Sequence, residues 1–296
     1  FGFGSPSRLA SLQAVEGEPL RILNPLGEEL SAMRTSLLPG LLDTLARNIR
    51  HGAKSTRLFE LGATFHSVDS VDATRSERDR LLPTERRRVG VVLWGERYPG
   101  RWFASQQRMD FSELAGVLDD LRDALGVALE RVPAERDGTN PVASAQLRRA
   151  DRAVGWAAQL HPQLLNDYDI DGLVFAAEVE LNALLADAIS GLRVRSLPKF
   201  PSTRRDIAVV ASCELPSAEL ARHLQTHAGG ELGEQVVEAV LLSDVYSGQG
   251  IPADKVSLAF SIEYRHRERT LTDDEVNRAF HGVIASLRDR FGVEIR

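Results

Sequence analysis

A strict alternation of side chains in residues 255–265 is the feature that most constrains the fold. Val256, Leu258, Phe260, Ile262 and Tyr264 are apolar or aromatic, and the residues between them are mostly polar. A period of two predicts a β-strand with one buried and one exposed face. Gly248, Gly250 and Pro252 lie in the loop 247–254 before it and predict a hairpin with the preceding strand. Counting in twos along that strand predicts one shared face for Glu238, Val240, Leu242, Asp244 and Tyr246.

The hairpin belongs to a longer pattern of elements. Thr272 and Glu275 have the spacing of a capping box and predict a helix over 273–290. The remaining predicted elements are a strand at 206–211, a helix at 216–227 and a strand at 293–295. This β-α-β-β-α-β order is the ferredoxin-like pattern. Both helices are expected on one face of the sheet, which leaves the other face open for a ligand.

The N-terminal two thirds of the chain predict a larger module, a broad antiparallel sheet flanked by helices. We predict strands at 20–26, 57–65, 88–95, 127–132, 144–149, 153–160 and 173–179, and helices at 36–51, 110–125, 162–168 and 181–189. Residues 67–87 are predicted to form a loop, and 191–203 a linker containing two prolines. The predicted fold class is therefore α+β, with domains at 1–193 and 198–296.

Composition narrows the functional classes. The net charge of −6 argues against a bulk nucleic-acid coat, so any contact with nucleic acid is expected to be local. A single cysteine, Cys213, excludes an internal disulfide framework and predicts a cytoplasmic protein. No apolar run approaches the roughly 18 residues of a membrane span, and no signal peptide is expected. The chain starts with Phe rather than Met, which predicts a part of a longer protein.

A metal centre is not predicted. His223 and His227 have ligand spacing on a helix, but no third ligand accompanies them, so we predict a surface pair.

Several ordered motifs resemble one family. They are Asn24-Pro25-Leu26, Met33–Leu42 (MRTSLLPGLL), Leu58–Gly62 (LFELG), Lys199–Asp206 (KFPSTRRD), Asp244-Val245-Tyr246, Tyr264-Arg265-His266 and Arg269–Glu275 (RTLTDDE). Together they resemble the C-terminal part of the β subunit of bacterial phenylalanyl-tRNA synthetase, over essentially the whole chain. The resemblance implies a class II synthetase-like core module followed by a ferredoxin-fold anticodon-binding domain.

The resemblance also implies partners and a division of labour. Catalysis would reside in the α subunit, within an α2β2 heterotetramer that uses ATP and Mg²⁺ to aminoacylate tRNA(Phe). This chain would hold no cofactor or metal and no catalytic residue of its own. The stretch Met33–His51 resembles the motif that the class uses for subunit contact, although its leucines are equally typical of a core helix.

The residues agree with a non-catalytic core module. Class II chemistry needs cationic side chains on the phosphates of ATP, where charge develops. The stretch Leu173–Asn182 corresponds to the Gly-rich, Arg-terminated third motif, yet it contains neither glycine nor arginine. Leu58 stands where the second motif usually has its arginine. We therefore predict a scaffold.

The predicted RNA site lies in the C-terminal module. Tyr246 is expected to stack on an unpaired base, and Asp244 to accept hydrogen bonds from the base edge. In the family this Asp-x-Tyr motif contacts the first anticodon base. Ser257 across the hairpin would add a polar contact, and Arg204 and Arg205 would hold phosphate.

Each assignment has an alternative. Tyr246 could be a strand-end aromatic, Asp244 a turn residue bonded to its own backbone, and the two arginines solvated charges. The alternative function is a free-standing enzyme whose ferredoxin-like domain senses a small molecule. The missing glycine and arginine elements count against that enzyme.

Overall fold

The computed structural model describes residues 2–10, 18–67, 82–102, 107–186 and 197–296. The chain divides into two compact units, Phe1–Gly191 (unit 1) and Leu192–Arg296 (unit 2). Both units combine helices with antiparallel sheets, which confirms the predicted α+β class. Residues 191–196 of the predicted linker lie outside the described residues.

Unit 1 is built on a six-stranded antiparallel sheet. In chain order its elements are β1 (Phe3–Gly4), α1 (Pro6–Ala10), β2 (Ala32–Met33), α2 (Leu38–Arg50), β3 (Ser55–His66), β4 (Thr84–Gly95), α3 (Phe111–Leu125), β5 (Glu130–Pro133), β6 (Thr139–Arg149), β7 (Arg152–Leu160), α4 (Pro162–Asn166), β8 (Val174–Glu180) and α5 (Leu181–Leu185). The strand order is β3-β4-β8-β7-β6-β5, and β1 pairs with β2 separately.

Two apolar clusters sandwich the large sheet. Leu38, Leu41, Leu42 and Leu45 recur at helical spacing along α2 and are buried in one cluster. α3 contributes its own buried leucines to the second cluster. The Asp110 side chain accepts hydrogen bonds from the backbone N–H groups of residues 112 and 113, so the predicted start of α3 is confirmed.

A buried ion pair fixes α2 to the sheet. Glu178 on β8 is only 2% exposed, and its Oε1 lies 2.8 Å from Nη1 of Arg88 on β4. Its Oε2 accepts hydrogen bonds from the Ser36 hydroxyl at 2.6 Å and from the Leu37 backbone N–H at 3.3 Å. A carboxylate removed from water needs such a full set of partners. Ser36 therefore precedes the helix, which starts at Leu38 rather than at the predicted residue 36.

Two other predictions for unit 1 were wrong in part. Residues 20–26 form no strand; they contribute one isolated bridge, between Arg21 and Ala32. Pro25 lacks the backbone N–H that a longer ladder needs. The predicted loop 67–87 is shorter than expected because β4 begins at Thr84, and its residues 68–81 lie outside the described part. The helix predicted at 181–189 is described to Leu185.

Unit 2 has the predicted ferredoxin-like fold. Its elements are β9 (Thr203–Ser212), α6 (Ser217–His227), β10 (Val237–Tyr246), β11 (Lys255–Tyr264), α7 (Asp273–Phe291) and β12 (Glu294–Ile295). The strands are ordered β10-β11-β9-β12, so β10 is an edge strand. As the alternation on β11 predicted, one of its faces packs against the apolar residues of the two helices. This face carries Phe260, Ile262 and Tyr264.

The two histidines of α6 do not form a surface pair. His223 is buried against α7, where its Nε2 lies 2.8 Å from the Ser286 hydroxyl. Its ring centroid lies 4.3 Å from that of the exposed His227, with the two ring planes tilted by 52°. The prediction failed because this side of α6 packs on α7. Within the described ranges, no group of three or more side chains could hold a metal ion.

None of the described helices combines the length and the apolar character that crossing a bilayer would require.

The start of α7 carries the predicted capping box. Thr272 accepts a hydrogen bond from the backbone N–H of Glu275, whose carboxylate in turn accepts one from the N–H of Thr272. Arg269 adds two bonds to the same carboxylate, at 2.8 and 2.9 Å. Arg269 and these cap bonds lower the pKa of Glu275 from 4.5 to about 2.

We expect this carboxylate to make unit 2 sensitive to acid. A depressed folded-state pKa contributes stability that is present above pH 4.5 and is lost as the pH falls toward about 2. Thermal unfolding followed across this range should show that Glu275→Gln lowers the midpoint at neutral pH and weakens its fall in acid. The control is Glu268→Gln, a nearby exposed residue with no ion pair in the described chain. Equal acid sensitivity in parent and Glu275→Gln would contradict the assignment.

Candidate nucleic-acid interface

On the face of the unit 2 sheet opposite its helices, the central strand β11 carries small side chains. Ser257, Ala259 and Ser261 alternate along β11 with the buried apolar residues, and Ala208 lies beside Ala259 on β9. None of these side chains rises far above the backbone. This surface, which we call the open face, can therefore accept a flat group in close contact.

A β-bulge places the predicted site residues on the open face. Leu242 pairs with Phe260, but Asp244 pairs with Ala259, so Ser243 is an extra residue in β10. Because one extra residue reverses the alternation, Asp244 and Tyr246 lie on the face opposite to Val240 and Leu242. The predicted single face from Glu238 to Tyr246 was therefore wrong. A second shift in the pairing register lies between Val237 and Ala239, so the alternation of faces is also interrupted at Glu238.

Tyr246 stands at the rim of the open face. It pairs directly with Ser257, and 47% of its surface is exposed. Its hydroxyl makes one long hydrogen bond, 3.4 Å, to the backbone carbonyl of Gln249. A Cβ on Gly248 would lie 2.8 Å from that hydroxyl oxygen, so only glycine allows the ring this position. Sequence reasoning gave Gly248 a turn role and missed its packing on the ring.

One carboxylate oxygen of Asp244 is hydrogen-bonded, and the other is available to a ligand. Its Oδ1 accepts a hydrogen bond from the backbone N–H of Val245 at 2.9 Å. Its Oδ2 has no partner among the residues that the structure describes. The side chain thus makes the local backbone bond of the alternative interpretation, and that bond fixes its orientation while the second oxygen stays accessible.

The two arginines lie on opposite faces. Arg204 pairs with Glu263 in register, shares the face of Ser257 and is largely exposed. Arg205 points toward α7, where it bonds to Asn277 at 3.1 Å and to Asp273 at 2.9 Å. The open face therefore gains Arg204 alone from the predicted pair. In register, Arg204 is six residues from Val210, the partner of Ser257, or about 20 Å along the sheet.

A second carboxylate was missed by sequence reasoning. Asp206 follows Arg204 by two residues on the same face, and its Oδ1 accepts from the Ser261 hydroxyl at 2.6 Å. Bonds from Ser261 and Arg204 lower the pKa of Asp206 below its ordinary value. The period-of-two pattern on β9, counted from Arg204, could have identified this residue.

The two class II motif counterparts of unit 1 serve its structure. Leu58 packs on the apolar cluster under α2. The neighbouring Arg57 is directed to the backbone carbonyl of Arg97 at 2.9 Å. On β8, the carboxylate of Glu178 is occupied by Arg88, Ser36 and the start of α2. Neither stretch supplies the phosphate-binding arginine or glycine that its position suggests.

Each of the two units matches a known protein family. Residues 1–181 match the family model for the phenylalanyl tRNA synthetase beta chain CLM domain. Residues 198–296 match the model for the ferredoxin-fold anticodon binding domain.

Curated relatives carry the same description. The phenylalanine–tRNA ligase beta subunit of Shouchella clausii (strain KSM-K16) is 35% identical over 98% of this chain and 35% of that protein. The corresponding subunit of Syntrophotalea carbinolica is 33% identical over 94% of this chain and 33% of its own length. That of Geobacillus kaustophilus is 32% identical over 100% of this chain and 35% of its own length. The chain spans about a third of these relatives, and it belongs to the phenylalanyl-tRNA synthetase beta chain family.

Proposed function

We propose that this chain is the non-catalytic portion of a phenylalanine–tRNA ligase β subunit and that its open face binds the anticodon of tRNA(Phe). The observation that carries the proposal is the pairing of an exposed ring and an available carboxylate oxygen over a floor of small residues. Tyr246, Asp244 and Ser257 form this group. The relatives are named as ligase subunits, and the family model of unit 2 is named for anticodon binding.

The group suits an unstacked nucleotide. A base can lie on the Tyr246 ring, and such stacking is worth about 1–3 kcal/mol per base. The free Oδ2 of Asp244 can accept hydrogen bonds from the amino and imino groups of a guanine edge. Ser257 adds a hydroxyl below the base. A purine with two adjacent donors is therefore the base that this group favours.

The arginines take different roles in the proposal. Arg204 is exposed on the open face and can contact a phosphate beyond the stacked base. Arg205, predicted as a second phosphate contact, is held by Asp273 and Asn277 on the other side of the sheet. We assign it the structural role of tying β9 to α7.

Unit 1 is proposed to bind the catalytic α subunit, in which ATP and Mg²⁺ would act. The leucines of α2 are buried in unit 1 itself and are therefore not available to a partner. Among the exposed apolar residues of unit 1, two lie close together on the edge strand β3, where Phe59 is 74% and Leu61 62% exposed. Neighbouring exposed apolar side chains on an edge strand favour a protein interface. An α2β2 assembly and a cytoplasmic location belong to the same proposal.

Substitutions at the open face should weaken tRNA binding. Tyr246→Ala removes the stacking platform, so we expect the dissociation constant for tRNA(Phe) to rise about 5- to 100-fold. Asp244→Ala removes the base-edge acceptor and should reduce the preference for tRNA(Phe) over a tRNA with another anticodon. Filter binding or mobility shift at constant salt measures both effects.

The matched control for these variants is Val245→Ala. Val245 lies between the two site residues, is also exposed, and pairs with Leu258 toward the other face. It should leave tRNA binding unchanged. If Tyr246→Ala and Asp244→Ala bind as tightly as the parent, the open face is not the RNA site. The alternative of a small-molecule sensor then becomes the better interpretation of unit 2.

The proposed subunit interface has its own test. Phe59→Ser and Leu61→Ser remove exposed apolar area from β3, so we expect the double variant to co-purify less α subunit. Val142→Ser on β6, which also changes an exposed apolar residue, is the control and should retain the α subunit. Full retention by the double variant would exclude this part of β3 as the interface.

A further inference from the structure

Unit 1 carries a loop between β4 and α3 that combines exposed aromatic rings with arginines. We call its described residues, 96–102 and 107–108, the aromatic loop. An antiparallel bridge between Glu96 and Arg108 closes the base of this loop. Surface loops whose ends lie close together frequently bind ligands. The aromatic loop contains three arginines and one glutamate, so it is positive in a chain whose net charge is −6.

Two aromatic rings of this loop are open to solvent. Trp102 is 95% exposed, and Tyr98 is 44% exposed. Tryptophan side chains are on average highly buried in folded proteins, because exposing their large apolar surface to water is unfavourable. Two exposed rings only four residues apart therefore favour a binding surface whose partner carries flat groups.

Two arginines lie close to the Tyr98 ring. The guanidinium carbon of Arg97 is 5.5 Å from the ring centroid, and that of Arg101 is 5.9 Å from it. Glu113 on α3 orients Arg97 through an ion pair of 2.5 Å, and its second oxygen lies 3.9 Å from the guanidinium of Arg57. Cations are thus held beside an exposed ring. Single-stranded nucleic acids use this combination, because the base stacks while the phosphate contacts the cation.

A cleft of about 460 Å³ adjoins the base of the aromatic loop. Lys54 and Arg108 line it together with Trp94, and both cations are exposed and form no ion pair among the described residues. The carboxylates on the same lining are Glu96 and Asp171. The volume is within the range of sites for small ligands, such as a single nucleotide. The cations can contact a phosphate, and the carboxylates can accept from the amino group of a base.

We propose that the aromatic loop and its adjoining cleft form a second RNA-binding surface, which takes a single-stranded segment. Bases stack on Trp102 and Tyr98, and phosphates contact Arg101 and Arg108. The rings favour a nucleic acid over other polyanions, because a base covers them and an acidic chain without rings does not. The choice of RNA over DNA rests on the proposed function. No residue of the open face takes part, so the two surfaces are tested separately.

The test uses the 296-residue protein with Tyr246→Ala, which removes the proposed stacking platform of the open face. A fluorescently labelled oligoadenylate of about eight nucleotides is titrated by anisotropy at constant salt. We expect saturable binding, which Trp102→Ala weakens by about 5-fold or more and Arg108→Ala by about 2- to 10-fold. Arg87→Ala removes an exposed arginine at the other end of β4, and this control should keep the affinity. Spectra without RNA establish that the variants are folded.

Two further probes determine which chemistry the surface recognises. A ribose-phosphate chain of the same length without bases, and an acidic peptide of the same charge, should each bind at least about 5-fold more weakly than the oligoadenylate, because neither can stack. With ¹⁵N-labelled tryptophan, the oligoadenylate should shift the indole N–H signal of Trp102 and leave that of the buried Trp156 unchanged. The proposal is overturned by an absence of saturable binding, by unchanged affinity in Trp102→Ala, or by equal affinity for the abasic chain. Equal affinity for the peptide would assign the surface to a protein partner instead.

Discussion

The proposed RNA site depends on one extra residue in an edge strand. Ser243 interrupts the pairing of β10 with β11, and its hydroxyl donates a 3.0 Å hydrogen bond to the carbonyl of Ala259. Without the bulge, Asp244 and Tyr246 would follow Leu242 onto the side of the sheet that the helices cover. With it, both side chains reach the open face and Ser257 lies directly opposite the ring. Phe260 and Ile262, fully buried behind this face, keep the platform rigid.

In unit 1 a buried ion pair holds the large sheet and the helix α2 together. Glu178 joins β8, β4 and the start of α2 through Arg88 and Ser36. Loss of one member of such a buried pair leaves an uncompensated charge, which typically costs about 3–5 kcal/mol. Through these contacts β8, which has no phosphate-binding arginine or glycine, stabilises unit 1.

The sequence predicted the fold better than it predicted the site. Alternation on β11 and the capping box of Thr272 and Glu275 identified the ferredoxin-like order, because both are local patterns. The bulge at Ser243 was missed because a period-of-two count assumes unbroken pairing. Arg205 lies on the other side of β9 from Arg204 because adjacent strand residues point to opposite sides, a difference that the sequence analysis did not address.

The most direct test measures whether the 2-amino group of one RNA base and the side chain of Asp244 contribute to binding together. A tRNA(Phe) with guanine at the first anticodon position is compared with the same tRNA carrying inosine, which lacks the 2-amino group. Both are titrated against the parent chain and Asp244→Ala in a double-mutant cycle. We expect inosine to weaken binding to the parent but not to Asp244→Ala, with a coupling energy of about 1 kcal/mol or more. Equal losses in both proteins would show that Asp244 does not read this base.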